Sequence, residues 1–232
     1  MSKFVGILYK KDASPPARAV MLVADLLGIK LKGKDLNPIA REQDEPEMAK
    51  KNPMRTIPFL EEDDQFCLAD SHAIILYLVD KYGKPEHSYL YPADRRKRAT
   101  INQRLFYDCG VLFPKLRDIM ARTYFGKISE LSKSVRRNVD DSYKTLEMYL
   151  SETKYLADDV MTLADISVLT TLSTLSGLHP IDETRFPKLK KWFSNMSEQE
   201  FCKRINEPGA IEHVEGLKAF LKHNKENPKS KI

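Results

Sequence analysis

The hydrophobic pattern of this chain changes once, at residues 84–93, a polar segment with two prolines and no periodicity. Before that segment, short strand-like apolar runs alternate with helical patterns, and after it the apolar patterns have helical spacing. In a chain of 232 residues this change favours two domains. We therefore predict an α/β domain in residues 1–83, a linker in 84–93 and an all-helical domain in 94–232.

The first domain is predicted to have the element order βαβαββα, in which a polar and irregular segment, 38–55, takes the place of the second helix. The last two strands are predicted to form a hairpin closed by the acidic residues 61–64. The first helix is predicted to end at Gly28, and the third to be capped by Ser71 and to end at Gly83. The predicted strands cover residues 3–9, 30–36, 57–60 and 66–69.

The second domain shows helical apolar patterns throughout. Pro114 lies inside its first helix and is expected to bend it, because proline has no N–H for the carbonyl of Gly110. Thr162 and Asp165 form a capping pattern in front of a helix that is buried at residues 166–175. The stripe of the first helix consists of Leu105, Cys109, Leu112, Leu116 and Ile119. Further helices are predicted at 129–153 and around Trp192 and Phe193.

Charge and cysteine content argue against several classes of protein. The net charge of +5 comes from 38 basic and 33 acidic residues, and the basic runs have no interleaved aromatic residues, so no nucleic-acid partner is predicted. The cysteines, Cys67, Cys109 and Cys202, lack zinc-ligand spacing, so we expect reduced, mostly packed thiols and no metal. With no leader-like start and no apolar run of about 20 residues, the sequence predicts a cytoplasmic protein without a membrane partner.

The stretch DASPPARA, residues 12–19, places Ser14 between a strand and a helix. Its side-chain oxygen could accept a hydrogen bond from the amide of Ala17, because Pro15 and Pro16 have none. The hydroxyl proton could then be donated to a ligand at the positive end of the helix. The residues alone favour a cap over chemistry. A hydrolase triad is not predicted, because no G-x-S-x-G elbow surrounds the serine.

Two further segments could contact a peptide-like or anionic ligand. In RTIPF, residues 55–59, a cis bond before Pro58 would leave the backbone groups of Ile57 to pair with an extended peptide, but proline alone leaves the isomer open. Residues 70–72, Asp-Ser-His, combine a carboxylate, a hydroxyl and free amides at a helix start, which suits an anion. A plain cap is the alternative for this second segment.

The order of these motifs resembles that of the cytosolic glutathione S-transferases. Strand-SPP-helix, TIPFL, DSHAIILYL and TLAD follow one another, and the likeness covers nearly the whole chain. The resemblance is to the serine-type insect delta and epsilon classes, and it is nearest to epsilon in SPPARAV, ADSHAIILYLVDKYGK and CGVLFPKLR. It implies a thioredoxin-like N-terminal domain that binds glutathione, followed by a helical domain with the pocket for the second substrate.

The same resemblance implies roles for individual residues toward glutathione, the cosubstrate. Ser14 would donate to the sulfur, Ile57 before a cis Pro58 would bind the cysteinyl backbone, and Ser71 would bind the γ-glutamyl carboxylate with Asp70 facing the ammonium. Where the family commonly has NPQHTIP and an earlier histidine, this chain has NPMRTIP and Gln43. The arginine introduced there can bind a carboxylate through two parallel hydrogen bonds. The other implied glutathione-binding residues are Gln43, Arg55, Thr56 and His72.

The resemblance also implies a homodimer that conjugates glutathione thiolate to apolar electrophiles in detoxification, with peroxidase or dehydrochlorinase side activity. One alternative is a non-catalytic binder of hydrophobic ligands on the same fold, and another is a steroid or isomerisation enzyme, which the apolar Leu116 does not favour. Aromatic and apolar residues at helical spacing more often belong to a helical core than to a pocket. The implied electrophile pocket consists of Tyr107, Val111, Leu116, Arg117, Tyr124 and Phe125.

Overall fold

The first domain is a four-stranded mixed sheet with three helices. The computed structural model describes residues 4–63 and 66–228. In chain order the elements are β1 (Phe4–Lys10), α1 (Pro15–Leu26), β2 (Lys30–Asp35), α2 (Pro46–Lys51), β3 (Phe59–Asp63), β4 (Phe66–Ala69) and α3 (Ser71–Tyr82). The sheet order is β2-β1-β3-β4, with β1 parallel to β2 and the other two pairs antiparallel. The predicted order βαβαββα, that of a thioredoxin-like domain, is confirmed.

The register of the sheet brings three loops to one edge. Tyr9, near the end of β1, pairs with Phe59 at the start of β3, and Phe59 pairs with Ala69 at the end of β4. The chain therefore leaves β1, enters β3 and leaves β4 at the same edge. The segments that meet there are residues 11–14, 55–58 and 70–72.

The hairpin differs from its prediction, because β3 continues through the acidic residues that were expected to form its turn. Glu61 accepts a hydrogen bond from the hydroxyl of Tyr9 at 2.6 Å and pairs with Lys51 at 2.8 Å. These partners on neighbouring elements satisfy the carboxylate inside the strand, so the charge does not require a turn. The last residue of the expected turn, Asp64, lies outside the described residues.

Segment 38–55 is more regular than predicted. It contains a 3₁₀ turn at Glu42–Asp44 and the six-residue α2, whose first position is Pro46. Proline suits that position because the first amides of a helix have no intrahelical acceptor. The predicted left-handed stop after α1 is confirmed, since Gly28 has a φ of 67°.

The second domain is helical, and it shares one core with the first. A single hydrophobic cluster runs from Leu8 in the sheet to Leu169 and Trp192 in the helical domain. Within residues 4–63 and 66–228, no helix has both the length and the apolar character needed to cross a bilayer. The helices are α4 (Arg95–Tyr107), α5 (Phe113–Tyr124), α6 (Lys133–Glu152), α7 (Leu163–Leu178), α8 (Pro187–Ser197) and α9 (Glu207–Glu226). The fully buried stretch of α7 packs against α1, α4, α5 and α9.

A π-helical turn at Asp108–Leu112 joins α4 to α5, and Pro114 lies in the first turn of α5 rather than inside the first helix as predicted. In the π-helical turn the amide of Phe113 donates to the carbonyl of Asp108, five residues back. The extra residue in the turn changes the phase of the predicted apolar stripe. Cys109 is therefore exposed, and the prediction of a packed thiol is wrong at this position.

The predicted capping pattern at the start of α7 is confirmed. Asp165 accepts hydrogen bonds from the backbone amide of Thr162 at 2.8 Å and from the indole N–H of Trp192 at 3.0 Å. Burial raises the pKa of Asp165 to about 6, although its hydrogen bonds act in the opposite direction. The cap thus ties α7 to α8 as well as closing its own first turn.

Candidate active site

Ser14 occupies the N-cap position of α1, with extended backbone angles of −76° and 118°. Its side chain makes no capping hydrogen bond, so the expected bond from the amide of Ala17 is not formed. The carbonyl of Ser14 accepts instead from the amide of Arg18 at 3.1 Å. Because the two prolines have no N–H, only one amide of the first turn lacks an acceptor, and a side-chain cap could bond to that one donor alone. The hydroxyl is half-buried at the positive end of the helix.

The second segment at this edge contains a cis peptide bond between Ile57 and Pro58, as the family resemblance implies. Thr56 accepts a hydrogen bond through its carbonyl from the side-chain amide of Asn52, at 2.8 Å. Asn52 is itself buried, and no sequence pattern indicated a role for it. Arg55 is exposed and has a φ of 52°.

The third segment begins α3, and its N-cap is Asp70 rather than the predicted Ser71. Asp70 accepts hydrogen bonds from the amides of His72 at 2.9 Å and Ala73 at 3.1 Å. The His72 side chain, whose Nδ1 lies 3.4 Å from the Asp70 carboxylate, is the main reason that the pKa of Asp70 is lowered, so this carboxylate remains ionised. Ser71 is the first helical residue and is buried.

Left-handed backbone angles concentrate around these segments. Among the described residues, the non-glycine residues with positive φ are Arg41, Arg55 and Asp70. Two of them are predicted site residues, and Arg41 lies two positions before a third, Gln43. Such angles are unfavourable for residues with a Cβ and tend to persist at functional sites.

Behind the third segment, a buried network links the two domains. Nε2 of His72 lies 3.2 Å from the carboxylate of Asp108 and 3.0 Å from the hydroxyl of Ser167, which also donates to Asp108. Burial lowers the pKa of His72, but the neighbouring carboxylates of Asp108 and Asp70 more than offset this effect and raise the pKa to about 9. A protonated imidazole therefore stands between the carboxylates of Asp70 and Asp108.

Comparison with known proteins shows which family the chain belongs to. The family model "Glutathione S-transferase, N-terminal domain" matches residues 8–86, and "Glutathione S-transferase, C-terminal domain" matches residues 110–200. The chain is 40% identical to glutathione S-transferase 1 of Manduca sexta over 207 residues, which cover 88% of this chain and 94% of that protein. The chain belongs to the glutathione S-transferase family.

Solved structures agree with the assignment of this transferase. An epsilon-class glutathione S-transferase from the housefly, Musca domestica, superposes with a TM-score of 0.88 at 38% identity, covering 92% of this chain and 97% of that one. A glutathione transferase homologue from Drosophila mojavensis, solved with bound glutathione, gives a TM-score of 0.87 at 35% identity, covering 94% and 98%. The epsilon-class resemblance is confirmed, and these relatives support a catalytic transferase over a non-catalytic binder.

Gln43 of the transferase lies in the 3₁₀ turn before α2. Its side-chain oxygen is buried and has no hydrogen-bond partner among the described residues. A buried amide oxygen without a partner is rare and calls for an explanation. A ligand group or water at this position would satisfy it.

The structure does not bring the predicted electrophile-pocket residues together in one place. Leu116 is fully buried in the core and faces no open space. Tyr107 and Val111 line a surface depression on α4, whereas Tyr124 packs edge-on against Phe220 of α9. Burial raises the pKa of Tyr124 to about 12, so its hydroxyl stays protonated. Arg117 and Phe125 are exposed and, like Val111, reach the protein surface.

One group of side chains has the spacing of a metal site. The ligand atoms of Asp70, His72 and Cys109 lie within 4.8 Å of one another. The protonated state of His72 opposes coordination, because a metal requires the neutral imidazole. Burial, followed by the charges of Asp70 and Asp108, raises the pKa of the Cys109 thiol. The raised pKa opposes metal binding further, because the thiolate is the form that binds a metal.

Sequence analysis missed three polar residues of this region: Arg18, Asp108 and Ser167. Each stands within an apolar helical pattern, where a polar group must find a buried partner. The sequence shows that these polar residues lie among apolar ones, but it does not show which group each side chain bonds to.

Proposed function

We propose that this enzyme is a serine-type glutathione S-transferase, in which Ser14 donates a hydrogen bond to the glutathione sulfur and the thiolate attacks an apolar electrophile. The observation that carries the proposal is the register of the sheet, which brings the loop of Ser14 to the same edge as residues 55–58 and 70–72. The Ser14 hydroxyl makes no capping bond and so is available to a ligand. The glutathione bound by the Drosophila mojavensis homologue supports the ligand class.

The chemical task is to keep the thiol ionised near neutral pH. A free thiol has a pKa of about 8.5, and each unit of depression corresponds to about 1.4 kcal/mol of preferential thiolate stabilisation. A charge-assisted bond from a hydroxyl at a helix N-terminus is a reasonable source of one to two units. No metal is required for this step.

The remaining contacts follow the peptide along the edge of the sheet. We assign the cysteinyl backbone to Ile57 beside Pro58, and the γ-glutamyl carboxylate to Ser71 at the start of α3. Asp70, kept ionised by His72, is suited to the ammonium. The glycine carboxylate would be held by Arg55, with Thr56 and Gln43 nearby.

The proposed organisation has a glutathione-binding domain in residues 1–83, a linker in 84–93 and an electrophile-binding domain in 94–232. We propose that the enzyme is cytoplasmic and acts in detoxification.

The test of the proposed function is turnover of an aryl halide with glutathione by the purified protein. Peroxidase and dehydrochlorinase assays measure the side activities. Tight glutathione binding without turnover of any electrophile would contradict the proposal.

Arg55→Ala should raise the KM for glutathione about tenfold and leave kcat nearly unchanged. A hydrogen bond to a charged group contributes more binding free energy than a neutral one. Because Arg55 is exposed to solvent, we expect its contribution to be at the low end for such a bond. Binding is lost equally in the ground and transition states, because the glycine carboxylate is remote from the sulfur. Steady-state kinetics at varied glutathione concentration measure the effect.

The control for Arg55 is a glutathione analogue without the glycine residue. Its KM should not respond to Arg55→Ala, and Arg137→Ala, at an exposed arginine on α6, should leave glutathione itself unaffected. Equal responses of glutathione and the analogue to Arg55→Ala would show that the arginine acts on local structure.

We further propose that the enzyme is a homodimer that buries the exposed apolar face of α4. Phe106 is 69% exposed and Val111 is 39% exposed, and both line the same surface depression. Exposed apolar groups that cluster in this way mark interaction surfaces. The depression is also lined by Ala99, Asn102, Gln103 and Tyr107.

Light scattering of the wild-type protein should give about twice the chain mass of 26.7 kDa. Phe106→Asp should shift the mass toward that of one chain at micromolar concentration, because a charge would be buried in the interface. Met148→Asp, at a similarly exposed position on α6, is the matched control and should stay dimeric. A wild-type mass near 26.7 kDa would contradict the dimer.

A further inference from the structure

Arg18 is a fully buried side chain, and it lies one turn after Ser14 in α1. Its guanidinium reaches from the first domain into the helical domain. There Nε donates to the side-chain oxygen of Asn206 at 2.8 Å, and Nη2 donates at 3.0 Å to the carbonyl of Thr170 and to the hydroxyl of Thr174. An arginine is rarely enclosed in this way unless its hydrogen bonds are met.

The other end of the same guanidinium holds the loop that carries Ser14. Nη1 donates to the carbonyl of Ala13 at 2.8 Å and to that of Asp12 at 3.5 Å. With these two bonds, all five N–H donors of the arginine have acceptors. The side chain is thus a rigid link between α7, the start of α9 and residues 12–13.

The bond to Ala13 bears directly on Ser14, because the carbonyl of Ala13 and the amide of Ser14 belong to one planar peptide unit. Arg18 holds the oxygen of that plane, and the carbonyl of Lys11 accepts from its N–H at 2.9 Å. A peptide plane held on both sides constrains the direction in which the Cα and side chain of Ser14 point.

The helical domain also contacts this loop through its backbone. A Cβ added to Gly209, near the start of α9, would lie 2.2 Å from the carbonyl oxygen of Asp12. Lys11 pairs with Glu212 one turn further along α9, at 3.6 Å. The loop of Ser14 therefore rests on the helical domain as well as on its own sheet.

We propose that Arg18 is a positioning residue for catalysis, through which the helical domain sets the direction of the Ser14 hydroxyl toward the glutathione sulfur. The inference rests on the proposed role of Ser14. Arg18 itself touches no substrate in this scheme. It acts by holding the Ala13–Ser14 peptide unit.

Arg18→Lys tests the inference, because lysine keeps a long side chain with a terminal nitrogen and loses the five-donor fork. We expect the pKa of enzyme-bound glutathione, measured from the ultraviolet absorbance of its thiolate, to rise by about one unit. At pH 6.5 kcat should then fall about tenfold and recover to within about twofold above pH 9, while the KM for glutathione changes less than about twofold. Arg104→Lys is the control, since Arg104 also donates to a backbone carbonyl but does so within the helical domain.

A double-mutant cycle separates positioning from general damage. In a Ser14→Ala background, Arg18→Lys should cause no further rise of the thiol pKa, because the group that it positions is gone. If Ser14→Ala raises the thiol pKa and Arg18→Lys does not, the inference fails and the proposed role of Ser14 stands. If Ser14→Ala itself has no effect on the thiol pKa, both fail.

A milder variant covers the case in which Arg18→Lys does not fold. Thr174→Val removes one acceptor of the guanidinium from the helical-domain side while keeping the volume of the side chain. It should raise the thiol pKa in the same direction by a smaller amount, and Thr174→Ser should restore the wild-type value. A folded Thr174→Val protein with an unchanged thiol pKa would overturn the inference.

Discussion

Ser14→Ala should lower kcat/KM for aryl halide conjugation about 100-fold at pH 6.5 while the protein stays folded. The alanine has no donor for the sulfur, so the pKa of bound glutathione should rise by one to two units, and less thiolate is present near neutral pH. Stability should fall by less than about 1 kcal/mol, the usual value of a side-chain cap, since the Ser14 side chain makes no cap bond. Activity should recover in part at high pH.

The matched control for this variant is Ser132→Ala. Ser132 caps α6 and does accept a side-chain hydrogen bond, from the amide of Val135 at 3.3 Å. We expect the opposite pattern there, with stability lowered by up to about 1 kcal/mol and activity unchanged. Full activity of Ser14→Ala with an unshifted thiol pKa would rule out the serine-type mechanism.

Asp108→Asn should destabilise the protein by roughly 2 to 3 kcal/mol at pH 6, because it leaves the charged His72 without its buried partner. The folded-state pKa of His72, about 9, lies above its ordinary value near 6.5. A raised pKa contributes stability that is fully present below pH 6.5 and is lost as pH rises through 9, and 2.5 units correspond to about 3 kcal/mol. The loss in Asp108→Asn should therefore shrink strongly by pH 9.5.

Urea denaturation at pH 6 and pH 9.5, at one fixed protein concentration, measures this effect. Asp140→Asn is the control, since Asp140 also pairs with a histidine, His179, at 2.8 Å but is more exposed than Asp108. Its destabilisation should be smaller. An equal loss of stability in Asp108→Asn at both pH values would show that His72 is not charged in the folded protein.

Much of the fold was predictable, because helix starts and stops depend on residues close in sequence. The prolines at the start of α1, the left-handed Gly28 and the cap formed by Thr162 and Asp165 each act within one helical turn. The candidate glutathione segments were predictable for the same reason, since each follows or precedes a strand. Their meeting at one edge depended on the register of the sheet.

Predictions that relied only on the helical phase of an apolar pattern, or only on the charge of a segment, were less accurate. The exposure of Cys109 was missed because a π-helical turn changed the phase of the apolar stripe. The acidic residues after Leu60 were expected in a turn, but Glu61 has partners on other elements and remains in the strand. In the first case a change of helix type within the stripe shifted the pattern, and in the second case contacts with other elements satisfied the charge.

The sequence by itself determined the element order, the two-domain pattern, the cap of α7 and the family motifs, because these depend on short-range sterics and hydrogen bonding. The tertiary structure alone decided which polar side chains support the site. Arg18 bonds to Asn206 across 188 positions of sequence, and His72 bonds to Asp108 across 36. Such partners cannot be found from local spacing, since a buried charge requires only that some acceptor be nearby, and the packing of α1, α3 and α7 determines which one it is.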